Sequence, residues 1–150
     1  MDEALRELYQ EVILDHYRHP RNFGKLDDEA RSVLGNNPLC GDRIEVHVRV
    51  CDGRVEAVGF EGTGCAISTA SASMMTEAVK GKPIEEALAI AKTFHDMVME
   101  GAPGEELGTL AVFHGVREYP SRIKCATLGW HALRAALEQS QQVVTTEADG

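Results

Sequence analysis

Between Ile44 and Val50 the chain alternates without a break, with Ile44, Val46, Val48 and Val50 on one face and Glu45, His47 and Arg49 on the other. A period of two describes a half-buried β-strand. Asp52-Gly53 follows as a tight hairpin signal, and Val55 to Phe60 reads as the returning partner. An edge strand within 25–34 would complete a three-stranded antiparallel sheet. Elsewhere the period changes. Leu5, Leu8, Val12 and Ile13 recur at helical spacing over 4–18, and His19-Pro20 ends that helix. Small, helix-compatible residues from Cys65 to Val79 stop at Gly81 and Pro83, and a further helix runs from Ile84 to Met99. The segment 101–115 carries Pro103, several glycines and the short helical stretch EELGTLAVF, and YPSR then opens a last helix reaching Gln139. Strands followed by helices predict an α+β fold, with several helices packed on one face of the sheet. The reading is one domain over 1–139 with a flexible polar tail over 140–150.

Composition narrows the function classes. A chain of 150 residues is long enough to bury one core without staples. A net charge of −9 and a pI near 5.1, with no basic stripe, argue against nucleic acid, whose phosphates are met by clustered Lys and Arg. The opening MDEALRELYQ lacks the basic and apolar regions of a secretory signal, and no stretch is long and apolar enough for a bilayer. A soluble, cytoplasmic protein is expected.

In a reducing compartment thiol clusters are read as metal-binding or catalytic before they are read as disulfides. Cys40 and Asp42 in PLCGD, Cys65 in GTGCAIS and Cys125 in RIKCATL supply three thiolates and a carboxylate, enough for a tetrahedral shell. The oxygen ligand is the displaceable one, so the site can open. Cys65 follows two glycines at a helix N-terminus, where free N–H groups favour a thiolate, and Arg122 and Lys124 place positive charge beside Cys125. Those two cations could equally steer an anionic ligand or a partner carboxylate.

Plainer readings attach to single residues. Cys125 beside Ile123 and Leu128 could be a small core residue, Cys65 could fill a tight turn, and Gly41-Asp42 could be turn chemistry. None accounts for the joint occurrence. Cys51, beside the hairpin turn, has no ligand context. Of the histidines, His16 and His19 suit the C-terminal dipole of the first helix, His47 lies on the polar strand face, and His95, His114 and His131 lack paired spacing. The same donors allow a displaceable zinc, a labile [2Fe–2S] cluster or iron, or a structural zinc module.

LYQEVILDHYRHPRN (8–22), NPLCGD (37–42), GTGCAISTAS (62–71) and RIKCATLGWHAL (122–133) together resemble SufU-type iron–sulfur cluster assembly proteins, relatives of IscU scaffolds and of the NifU N-terminal domain. The resemblance implies that Cys40, Asp42, Cys65 and Cys125 converge on one exposed zinc site. It also implies a pyridoxal-phosphate cysteine desulfurase of the SufS type as sulfur donor, with a downstream Fe–S scaffold or apo-protein as acceptor. IscU-like scaffolds carry histidine where Lys124 stands and lack the segment around 101–118, so the SufU type is the nearer match. Cys40, on a loop, is the expected sulfur acceptor.

Overall fold

The structure, a computed structural model, describes residues 3–26, 30–37, 41–138 and 144–145. Helix α1 (Glu3–Arg18) is followed by strands β1 (Arg31–Asn37), β2 (Asp42–Cys51) and β3 (Arg54–Thr63). Helices α2 (Ala66–Val79) and α3 (Ile84–Glu100), a 3₁₀ segment (Glu105–Glu118) and α4 (Pro120–Leu137) complete the helical layer. β1, β2 and β3 form the expected antiparallel sheet, and the two-residue strand β4 (Val144–Thr145) joins parallel to β1, giving the order β3-β2-β1-β4. Those two residues belong to the stretch read as a tail.

Alternation in β2 works as its sequence requires. Ile44, Val46 and Val48 are buried under the helices and pair with Gly62, Phe60 and Val58 of β3. Asp52 and Gly53 both take positive φ, 54° and 75°, which suits the right-handed twist of the flanking strands. The edge strand lies later than 25–34. Val33, Gly35 and Asn37 form its inward face, and Gly35 hides the alternation because it has no side chain to count. That absence is structural: a Cβ on Gly35 would stand 3.1 Å from Leu128, so glycine lets α4 settle onto β1. Gly129 does the same toward Ala72 of α2, at 3.3 Å. Residues 22–24 pair along the free edge of β3, with Gly24 N–H donating to the Phe60 carbonyl at 2.7 Å and Phe60 N–H to Asn22 at 3.1 Å.

The core between sheet and helices centres on Phe60, Met75, Phe94, Met97, Phe113, Leu128 and Leu133, all fully buried. Trp130 stacks on Phe94 at 4.6 Å and donates its indole N–H to Ser71 Oγ at 3.0 Å, so its polar edge is satisfied within the core. Ser71 in turn donates to the Ala126 carbonyl at 2.6 Å, tying α2 to α4. The 101–118 region contributes to this core as well. Leu110, Val112, Phe113 and Val116 are buried, and Phe113 meets Phe94 edge-on; the expected short helical stretch is 3₁₀ and is interrupted at Gly108 (φ 62°, ψ −128°).

His16 departs from its reading as a partly charged helix terminus. It is 8% exposed, bonded through Nδ1 to Ser73 Oγ at 2.8 Å, and its pKa is lowered, chiefly by burial and then by Arg21. The imidazole is a neutral link between α1 and α2.

Candidate metal centre

Asp42, Cys65 and Cys125 arrive from three elements: the first residue of β2, the N-cap of α2 and the second turn of α4. The three offer one oxygen and two sulfurs, all within 4.8 Å of one another. Cys40, the remaining candidate, lies outside the described residues. Asp42 begins the strand, paired in register with Asn37 and 2% exposed.

The GTGC stretch explains the geometry. Gly62 takes φ +145°, and a Cβ there would drive into the Arg43 carbonyl, so only glycine lets the two strands close at this end of the sheet. Gly64 is similarly bare because the Asp42 carboxylate and the Ser68 hydroxyl occupy the space of its side chain. The chain can then turn so that Cys65 N–H donates to Asp42 Oδ1 at 3.1 Å. Cys65 Sγ accepts from the Ser68 N–H at 3.5 Å, as an N-cap side chain does. Ser68 was not singled out from sequence, although its place three residues after Cys65 is the position a capping side chain reaches.

The neighbouring Cys125 thiol, together with the Ser68 N–H, pulls the Cys65 pKa down to about 5 against the opposing effects of burial and Asp42. Cys125 is pushed up, first by Cys65, then by burial and by Asp42. This corrects the expectation that Arg122 and Lys124 make Cys125 a thiolate: its sulfur is buried and faces two anions, and Arg122 is exposed. The guanidinium of Arg122 does feel both sulfurs, its pKa being raised first by the Cys65 thiolate. Cys51 is exposed, and Glu56 and Asp52 raise its pKa.

These shifts set a pH dependence for the metal-free chain. A depressed pKa leaves Cys65 ionised above about pH 5, so its alkylation rate should climb through that region and be flat near neutrality. Cys51 should react appreciably only in the alkaline range. Iodoacetamide labelling, localised by peptide mass spectrometry, reads both profiles; a Cys65 rate that still rises steeply above pH 7 would contradict the lowered Cys65 pKa.

A buried carboxylate meeting two cysteines, one already a thiolate, defines a soft, anionic centre of the kind that holds zinc or iron. The chain belongs to the family of the NifU-like N-terminal domain, whose model matches residues 8–146. It is 49% identical over 140 residues to the zinc-dependent sulfurtransferase SufU of Bacillus subtilis, covering 91% of this chain and 94% of that protein. It is 46% identical to the iron–sulfur cluster assembly scaffold protein IscU of Streptococcus pyogenes, covering 91% and 86%. A solved chain from Fervidobacterium islandicum, described as a scaffold candidate for iron–sulfur assembly in the SUF system, superposes with a TM-score of 0.81 at 34% identity, covering 88% of this chain and 98% of that one. Among the described residues no helix is long and apolar enough to cross a membrane.

Proposed function

We propose that this protein works in iron–sulfur cluster assembly by holding zinc at Cys40, Asp42, Cys65 and Cys125 and accepting sulfane sulfur on Cys40 from a pyridoxal-phosphate cysteine desulfurase. The observation that carries the reading is the convergence of Asp42, Cys65 and Cys125, with Cys40 two residues from Asp42 in the chain. The donor set fits the ion: sulfurs and one carboxylate oxygen are ordinary zinc ligands. Bound zinc would offset the repulsion between the anionic donors and keep the thiols deprotonated.

The chain's own residues do the rest. Asp42 and Ser68 fix Cys65, burial holds Cys125, and Arg122 offers an exposed cation beside both sulfurs, suited to an anionic persulfide. In the transfer step the Cys40 thiolate attacks the terminal sulfur of the desulfurase persulfide. A new S–S bond forms on Cys40, the old one breaks, and its electron pair leaves on the desulfurase cysteine as thiolate. The sulfur then passes to a downstream scaffold or apo-protein. Free thiols in this role call for a reducing compartment, in keeping with a cytoplasmic location.

The near-equal identity to an IscU scaffold favours one second reading, a [2Fe–2S] cluster carried as cargo on the same donors. A structural zinc module is disfavoured, because the core around Phe94 and Trp130 is complete without the site. One experiment separates these: zinc content, then sulfide production by a cognate desulfurase with and without the protein. About one zinc per chain with stimulated turnover supports sulfur transfer. Iron–sulfur absorbance after anaerobic reconstitution, without stimulation, replaces it with the scaffold. Unfolding on chelation would favour the structural module.

A further inference from the structure

The face of the sheet away from the helices holds a second group of ligating side chains. In the register of β2 and β3, Glu45 and Glu61 stand directly opposite each other, a like-charge pairing that costs stability when nothing offsets it. His47 lies beside them. It was read as part of a polar, solvated strand face, but its side chain is only 6% exposed. Its Nδ1 is committed to Ser32 Oγ at 2.6 Å, which turns Nε2 toward the carboxylates, 3.3 Å from Glu61 Oε1 and 3.8 Å from Glu45 Oε1. The three ligand atoms lie within 4.8 Å of one another.

Those separations carry the argument. A tetrahedral ion with bonds of about 2.0–2.1 Å spaces its ligand atoms roughly 3.3 Å apart, so small side-chain movements close the group around one ion. Ser32 acts on the imidazole as the outer partners of metal-bound histidines do, fixing which nitrogen faces the ion. Of the nearby cations, Lys25 reaches Glu61 at 4.0 Å and is 72% exposed, and Arg49 pairs with Glu56 at 3.4 Å. Arg43, the other flanking cation of β2, is exposed. An open depression lined by Leu34, Arg43, Glu45, Glu61, Gly62 and Thr63 adjoins the group and admits water for the remaining positions.

We propose that Glu45, His47 and Glu61, with Ser32 orienting the imidazole, form a second metal site that takes a first-row divalent transition ion. One nitrogen and two oxygens suit a harder ion than the thiolate centre does, so the two sites differ in preference as well as in place.

Cobalt(II) distinguishes them, because only a thiolate-bound ion gives the sulfur-to-cobalt charge-transfer band. Equilibrium dialysis of the reduced full chain should find a cobalt ion that contributes no such band, whatever the thiolate centre binds. Glu61→Gln, a conservative change at a part-exposed side chain, should weaken that ion at least about tenfold and leave the band untouched; Ser32→Ala should weaken it by about 10- to 100-fold. Cys65→Ser should weaken the band and keep the band-free ion. The proposal is overturned if all bound cobalt in the wild type carries the band, if Glu61→Gln and Ser32→Ala bind as the wild type does, or if Cys65→Ser loses the band-free ion too.

Discussion

Cys40→Ser is expected to abolish stimulation of the cognate desulfurase, a fall of about two orders of magnitude or more toward the unstimulated rate. The reason is chemical: the serine hydroxyl is not ionised near neutrality and cannot take sulfane sulfur, so no second persulfide forms. A metal-ligand role alone would act differently. Asp42, Cys65 and Cys125 would remain, and weakened zinc retention would be offset by added zinc. The check is therefore twofold: sulfide production with saturating zinc, and mass spectrometry of the chain after incubation with desulfurase and cysteine. Wild type should carry one extra sulfur on the peptide containing Cys40, and the variant none. A Cys40→Ser chain that still carried sulfur on Cys65 or Cys125 and stimulated normally would move the acceptor to one of those residues. Cys65 would be the natural heir, since it is the thiolate of the pair and is partly exposed.

Much of this molecule is readable from the order of its residues, for definite reasons. β2 and β3 show because each buries one face and leaves the other polar, so alternation maps onto the pleat. α2 begins where GTGC places glycines that the close approach of Arg43, Asp42 and Ser68 demands. The grouping of Asp42, Cys65 and Cys125 was suggested by local motifs and needed the family resemblance to bring them together. Three features were not legible. The edge strand was displaced because Gly35 interrupts the pattern, and it does so to admit Leu128 of α4, a contact between residues far apart in sequence. The Cys125 thiol was misjudged because neighbours in sequence, Arg122 and Lys124, were weighed while its neighbours in space, Cys65 and Asp42, were unknown. The enclosure of His47 depends on register: Ser32 and Glu61 come from flanking strands that only pairing puts beside it.

Asp42 has two roles that separate substitutions should resolve. As a ligand it contributes charge and a displaceable oxygen; as a structural acceptor it receives the Cys65 N–H at 3.1 Å in a setting where it is 2% exposed. Asp42→Ala removes both. The Cys65 amide then has no carboxylate to meet, and stability of the metal-free chain should fall by about 1–3 kcal/mol, the cost of leaving this part-buried donor without its partner. Asp42→Asn keeps an oxygen for that amide but not the charge. Its metal-free stability should stay within about 1 kcal/mol of wild type, while zinc loss to a competing chelator should accelerate by at least about tenfold, because a neutral amide is a poor substitute for a carboxylate on a divalent ion. Denaturant midpoints of the metal-free chains and chelator-exchange rates of the zinc forms give the two readouts independently. Equal exchange rates for Asp42→Asn and wild type would remove Asp42 from the ligand set. Unchanged stability in Asp42→Ala would mean that the turn into α2 is held by Ser68 and the glycines alone. Should both effects appear as expected, the carboxylate that helps retain the metal also aims the thiolate beside it, so ligation and the hydrogen bond that shapes the centre rest on the same side chain.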